Sequence, residues 1–157
     1  MNKKEQVLTN FRDLFSKMVW LNKLKLESAL NDYKPSEVHC IEYIGNHTDA
    51  NVTKMAESMY MTRGAISKIT KKLIDKQLIE SYQKADNKKE IYFKLTEKGL
   101  QIQQVHDQLH QEFEERDQVV FEQVTDEQFD RMLHFIERYS NHLDHEIKKL
   151  DHDPKPE

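Results

Sequence analysis

The sequence predicts a mainly α-helical chain with one small β-hairpin near its middle. Apolar residues recur at steps of three and four over most of the length, which is the helical period. Only 3 Gly and 3 Pro interrupt the 157 residues. Two short runs of β-forming residues flank a turn-rich stretch, the pattern of a hairpin. With 33% charged and 37% hydrophobic residues, the chain makes one modest domain or two very small ones, and a large multidomain enzyme is excluded.

In chain order, Leu8, Phe11, Phe15, Met18, Leu21, Leu24 and Leu26 mark a long amphipathic helix over 5–30, broken at Asn31–Pro35. Ser36 and Glu37 open a second helix with Val38, Ile41 and Ile44 inward, closed by Gly45-Asn46. Val52, Met55, Ala56 and Met59 form a short third helix. After a turn at Tyr60-Met61, Thr62 caps a fourth unit that runs to about Gln77. Its inward face is Ile66, Ile69, Leu73 and Ile74, leaving Arg63, Ser67, Lys68, Lys71 and Lys72 outside. Two short helices on a tight turn, the second basic on its free face, form a helix-turn-helix pattern.

Leu78–Tyr82 and Glu90–Leu95 then read as strands joined by Ala85–Lys89, a hairpin with a basic tip, or wing. From the cap Thr96, two helices run to about Leu150. One carries Ile102, Val105, Leu109 and Phe113, the other Phe129, Leu133, Ile136, Tyr139 and Leu143, with a break at Val124-Thr125-Asp126. The terminal helices have apolar faces far in sequence from the central unit, and a second copy is the simplest cover. The fold class is thus a winged helix-turn-helix within an obligate-type helical dimer: residues 1–34 a dimerisation helix, 35–98 the DNA-binding domain, 99–150 two further dimerisation helices, and 151–157 a disordered tail.

The net charge of −4 is unevenly spread. Residues 1–62 are neutral, residues 63–94 carry 9 basic against 4 acidic groups (+5), and the remainder carries 7 against 16 (−9). A compact basic block within an acidic chain is an electrostatic footprint for phosphates, because counterion release follows the local cluster. No signal peptide or transmembrane run is expected at the start, and the lone Cys40 agrees with a reducing, cytoplasmic setting.

Over about residues 5–150 the sequence resembles the MarR family of winged-helix transcription regulators. The resemblance rests on Val52-Thr53-Lys54-Met55-Ala56, on the stretch from Met61 to Leu73, and on Leu95-Thr96-Glu97-Lys98-Gly99 after the wing. It implies a homodimer that binds double-stranded DNA, usually as a repressor. The implied DNA-binding residues are Thr62, Arg63, Ser67, Lys68, Lys71, Lys72, Asn87, Lys88 and Lys89. Among them Arg63 is suited to a bidentate guanine contact, and Lys68, Lys71 and Lys72 to phosphates. Two departures stand out. Asn87-Lys88-Lys89 occupies the register where the family commonly has Asp-x-Arg, and Gln77 stands where a glycine commonly ends the recognition helix. Lysine holds its water more tightly than arginine, so the wing is expected to touch backbone more than to read a narrow groove.

His106 and His110 are four apart on one helix, a spacing that can chelate one metal. With His39, they make the chain similar to the zinc-dependent repressors of the AdcR and ZitR type. Glu27 falls near those proteins' cysteine ligand, and the exchange would shift preference from zinc toward Mn or Fe. The same histidines also match acyl-responsive relatives of the FabT type, with Glu37-x-His39-x-Ile41-Glu42. A metal such as zinc held by Glu27, His39, His106 and His110, a buried hydrogen-bond network, and an organic effector pocket all stay open. His106-Asp107-Gln108-Leu109-His110 is one substitution from the metalloprotease motif, a remote hydrolase reading in which the aspartate is a methylene short for the base role. Cys40, one residue from the buried stripe, is expected to pack.

Overall fold

The computed structural model describes residues 1–150; residues 151–157, the tail for which disorder is expected, lie outside the described residues. The elements are α1 (Lys3–Ala29), α2 (Pro35–Asn46), α3 (Val52–Met59), α4 (Arg63–Asp75), β1 (Ile79–Lys84), β2 (Asn87–Leu95), α5 (Glu97–Phe121) and α6 (Asp126–Leu150). The chain divides into two compact units, Met1–Phe113 and Glu114–Glu157.

α1 starts on a capping box: the Asn2 side chain accepts from Glu5 N (2.9 Å), and Glu5 returns a bond to Asn2 N (3.2 Å). Not one residue of its 27 is buried within the chain. α2 begins at Pro35, one residue earlier than the sequence suggests, because a proline at the first helical position lacks only an N–H that would have had no partner. It ends at Asn46, within the Gly45-Asn46 pair expected to close it. Gly45 also permits a close approach, since a Cβ at this position would meet the Gln103 side chain.

The core lies in the first unit, where Cys40, Ile41 and Ile44 of α2 pack with Met55 and Ala56 of α3, Ile66 and Leu73 of α4, and Leu78, Ile79 and Phe93. Each large side chain so buried contributes roughly 1.5–3 kcal/mol. The helix-turn-helix closes through Tyr60, whose left-handed φ of 54° lets Met61 N reach Ala56 O at 3.0 Å. α4 ends in a Schellman motif: Leu78 N reaches Leu73 O and Gln77 N reaches Ile74 O, both at 2.9 Å. Gln77 takes the left-handed φ of 62° at the position where glycine is usual.

Two expectations need correction here. Ile74 is 40% exposed, and the inward stripe of α4 is Ile66, Thr70 and Leu73, with Ile69 half-buried against the core as expected. The Thr70 hydroxyl tolerates burial because it donates to Ile66 O (2.9 Å) within its own helix. The hairpin is also longer and its turn shorter than expected: β1 and β2 pair antiparallel from Ile79↔Leu95 to Lys84↔Asn87, leaving only Ala85 and Asp86 in the turn. Lys88 and Lys89 therefore sit on β2, and successive strand residues face opposite sides.

Thr96 joins the wing to α5. Its hydroxyl donates to Gln77 O (2.7 Å) and accepts from Gly99 N (3.1 Å). In α5 the buried residues are Gly99, Gln103, His106 and Phe113, while Val105 is 37% exposed. The expected apolar face of that helix is thus only partly the face the chain itself covers. In the second unit, Thr125 caps α6 with a reciprocal pair to Gln128 (3.0 and 3.2 Å), and no residue of α6 is buried.

Candidate nucleic-acid interface and a histidine pair

The N-terminus of α4 is fixed by Thr62, whose hydroxyl accepts from Ala65 N at 3.1 Å. With Ile66, Thr70 and Leu73 turned inward, the helical period leaves Arg63, Ser67, Lys68, Lys71 and Lys72 exposed together, as expected. Among the described residues, none of these four cations makes an ion pair. Their charge is therefore available to an outside anion rather than spent within the chain.

In the wing, Lys88 and Lys89 are likewise exposed and unpaired among the described residues. Asn87 is half-buried, and its side-chain oxygen accepts from Lys89 N (3.2 Å) and Glu90 N (3.3 Å). Its first task is to shape the turn. A residue that sequence reasoning missed braces the outer half of the wing: Asp49 takes the Tyr82 hydroxyl at 2.7 Å and the Lys84 ammonium at 2.6 Å. The Lys84 bond, then the Tyr82 bond, holds the Asp49 carboxyl below its ordinary range, and the same contacts raise Tyr82 and Lys84.

α4 is tied to α2 by a buried carboxylate. Glu37, 3% exposed, meets Lys76 Nζ at 2.7 Å, and that ammonium also stands 5.3 Å from the Tyr33 ring centroid. Cys40 is wholly buried against Met59 Sδ (3.9 Å). Burial, and then Glu37, pushes its thiol up to about 11, so little reactive thiolate forms near neutral pH.

The histidines converge only in part. His106 Nε2 and His110 Nε2 lie 3.0 Å apart, and Glu42 Oε2 lies 3.7 Å from His106 Nε2. His106 is 2% exposed, its Nδ1 is buried without a hydrogen-bond partner, and burial, above all, lowers its pKa. Burial therefore favours its neutral form. His39 is exposed and lines, with Glu42, Tyr43, His47, Met59 and Met61, a cleft of about 410 Å³ beside the start of α4. Glu27 does not join them: its carboxylate is exposed and pairs with Lys23 at 3.6 Å. The carboxylate that meets the pair is Glu42, three residues after His39 and already visible in the Glu-x-His-x-Ile-Glu pattern. Among the described residues, no three His, Cys, Asp or Glu side chains stand ready-made to hold a metal ion.

Comparison with known proteins places these features. Residues 34–91 match the model of the MarR family. Over 148 residues the chain is 30% identical to the HTH-type transcriptional regulator PchR of Bacillus subtilis (strain 168), covering 85% of this chain and 88% of that protein. Among solved structures it is similar to Streptococcus pneumoniae FabT in complex with DNA, with TM-score 0.77, 18% identity, and 90% and 98% of the two chains covered. A complex of S. aureus MepR with DNA gives TM-score 0.69 at 20% identity, covering 90% and 99%. At such identities the structural likeness establishes the fold. No helix among the described residues is long and apolar enough to cross a membrane.

Proposed function

This chain belongs to the MarR family of DNA-binding transcriptional regulators, and from that premise we propose that it acts as a two-fold homodimer that reads a pseudo-palindromic operator. Such regulators are not enzymes, so the His106–His110 segment is no protease motif. In this reading each copy presents α4 to a major groove and Lys88 and Lys89 to flanking backbone, and the dimer represses by lying over a promoter in the cytoplasm. The observation that carries it is the capped α4 with four exposed cations that form no ion pair among the described residues.

The division of labour is testable once a preferred duplex has been selected from a random pool. Arg63→Ala is expected to cost about 1–3 kcal/mol on the selected duplex and to relax preference at one base pair. Lys88→Ala weakens selected and scrambled duplexes alike and lowers the salt slope by about 1. Equal losses on both duplexes for Arg63→Ala would assign that side chain to phosphate instead.

For the effector, we propose a divalent metal such as zinc at His106, His110 and Glu42, with His39 at the rim. The 3.0 Å approach of two imidazole nitrogens supports it, since that spacing suits chelation of one ion. The adjoining cleft reaches Met61, next to the Thr62 cap, which gives a ligand there a short path to α4. Tag-free protein is expected to hold one metal per chain, and added Zn or Mn to change DNA affinity at least tenfold, an effect lost in His110→Ala. Protein without stoichiometric metal and with unchanged affinity would reject the metal in favour of an organic ligand or a purely structural network.

A further inference from the structure

Asp49 sits in the connection between α2 and α3 with a left-handed φ of 59°. Besides the bonds from Tyr82 and Lys84, its carbonyl accepts from Lys54 Nζ at 3.2 Å. The next residue, Ala50, takes Phe93 N of the wing at 2.8 Å. An exposed ion pair alone holds little. Here the Asp49 side chain is only 24% exposed, while that of Lys84 is 42% exposed. Lys84 is thus at the protein edge yet answered by a fixed carboxylate, and it also stands 5.0 Å from the Tyr92 ring centroid.

Lys84 ends β1 opposite Asn87, one tight turn from Lys88 and Lys89. Left free, it would be a further phosphate anchor in the same wing. Such an anchor strengthens binding to every sequence equally, whereas selectivity is the difference between two affinities.

We propose that Asp49 is a specificity-determining residue of the DNA-binding surface, which pins the turn end of the wing and withholds Lys84 from phosphates. This rests on the DNA-binding reading above. It divides the wing's cations into two classes: Lys88 and Lys89 serve DNA, and Lys84 serves the fold. It also gives Asp49→Asn a particular outcome, because asparagine tolerates the left-handed backbone as aspartate does while the charge and one of the two acceptor oxygens are lost.

The test measures affinity for a selected and a scrambled duplex across a salt series. Asp49→Asn is expected to bind the scrambled duplex several-fold more tightly, to lower the selected-to-scrambled ratio, and to steepen the salt slope by about 0.9 as one more phosphate is contacted. Adding Lys84→Ala to that variant restores the wild-type slope. In the otherwise wild-type chain Lys84→Ala leaves the slope unchanged while Lys88→Ala lowers it, a comparison that holds even if Asp49→Asn folds poorly. A slope lowered equally by Lys84→Ala and Lys88→Ala overturns the proposal, as does an Asp49→Asn protein with wild-type ratio and slope. Wild-type protein that binds neither duplex refutes the DNA-binding reading itself.

Discussion

Ile136→Lys is expected to convert a dimer into monomers and to weaken operator binding by roughly 10²–10⁴-fold, the scale set by losing a second linked contact. The reason lies in α6. Met132, Leu133, Ile136, Tyr139 and Leu143 follow one another at helical steps, and each is 37–60% exposed in the single chain. α1 has the same property by itself, with Phe15, Met18, Leu21 and Leu24 exposed by 42–60%. Apolar surface of this extent on a charged chain marks an interface, and burying each such side chain fully contributes about 1.5–3 kcal/mol. A lysine in the centre of that stripe would lose the gain and bring an unpaired charge. Glu137→Gln, on the polar side of the same helix, is the control and leaves both properties unchanged. Sedimentation of both variants beside wild type, with duplex titration, decides it. Should Ile136→Lys stay dimeric with full DNA affinity, or wild type bind tightly as a monomer, the proposed assembly is wrong.

What could be read from the sequence was what short-range chemistry decides. The caps Thr62 and Thr96, the break before α6 and the free face of α4 depend on residues within one or two turns, and each is where the sequence puts it. Failures came where the buried face is polar or the partner is distant. The apolar period in α5 finds the buried Phe113 and the half-buried Ile102, but it also points to the exposed Val105 and misses Gly99, Gln103 and His106, with Gln103 donating to Asn46 at 3.1 Å. The exposed apolar residues on that helix, Val105 among them, are then available to the second copy proposed above. Asp49, and the pairing of Glu42 with His106, were missed because the groups they meet, Tyr82, Lys84 and His106, lie 33 or more residues away in the chain. No local pattern encodes such a pairing.

Gly99 closes the motif after the wing, and its role is steric rather than conformational, since its φ is not positive. A Cβ at Gly99 would run into the carbonyl oxygen of Leu78, with Leu78 C at 3.2 Å and Leu95 Cδ2 at 3.3 Å. That carbonyl cannot step aside. It accepts Thr96 N at 3.1 Å, and Leu78 is wholly buried at the junction of α4 and β1. Gly99→Ala is therefore expected to destabilise by about 3 kcal/mol, the upper range for overpacking a rigid site. For a chain of this size that lowers the melting temperature by roughly 6–12 °C. Gly64→Ala supplies the contrast: among the described residues, no atom beyond its chain neighbours and its own helix backbone lies within 4 Å of a Cβ there, so within α4 alanine is expected to add roughly 0.5–1 kcal/mol of stability. Gly45 falls between, because the group in the way is the far end of the Gln103 side chain, which can swing. Thermal unfolding of the three variants at one protein concentration tests the order Gly64→Ala, Gly45→Ala, Gly99→Ala from most to least stable. If Gly99→Ala melts with wild type, the close seat of α5 against Leu78 is not what fixes the wing to the helix that follows it.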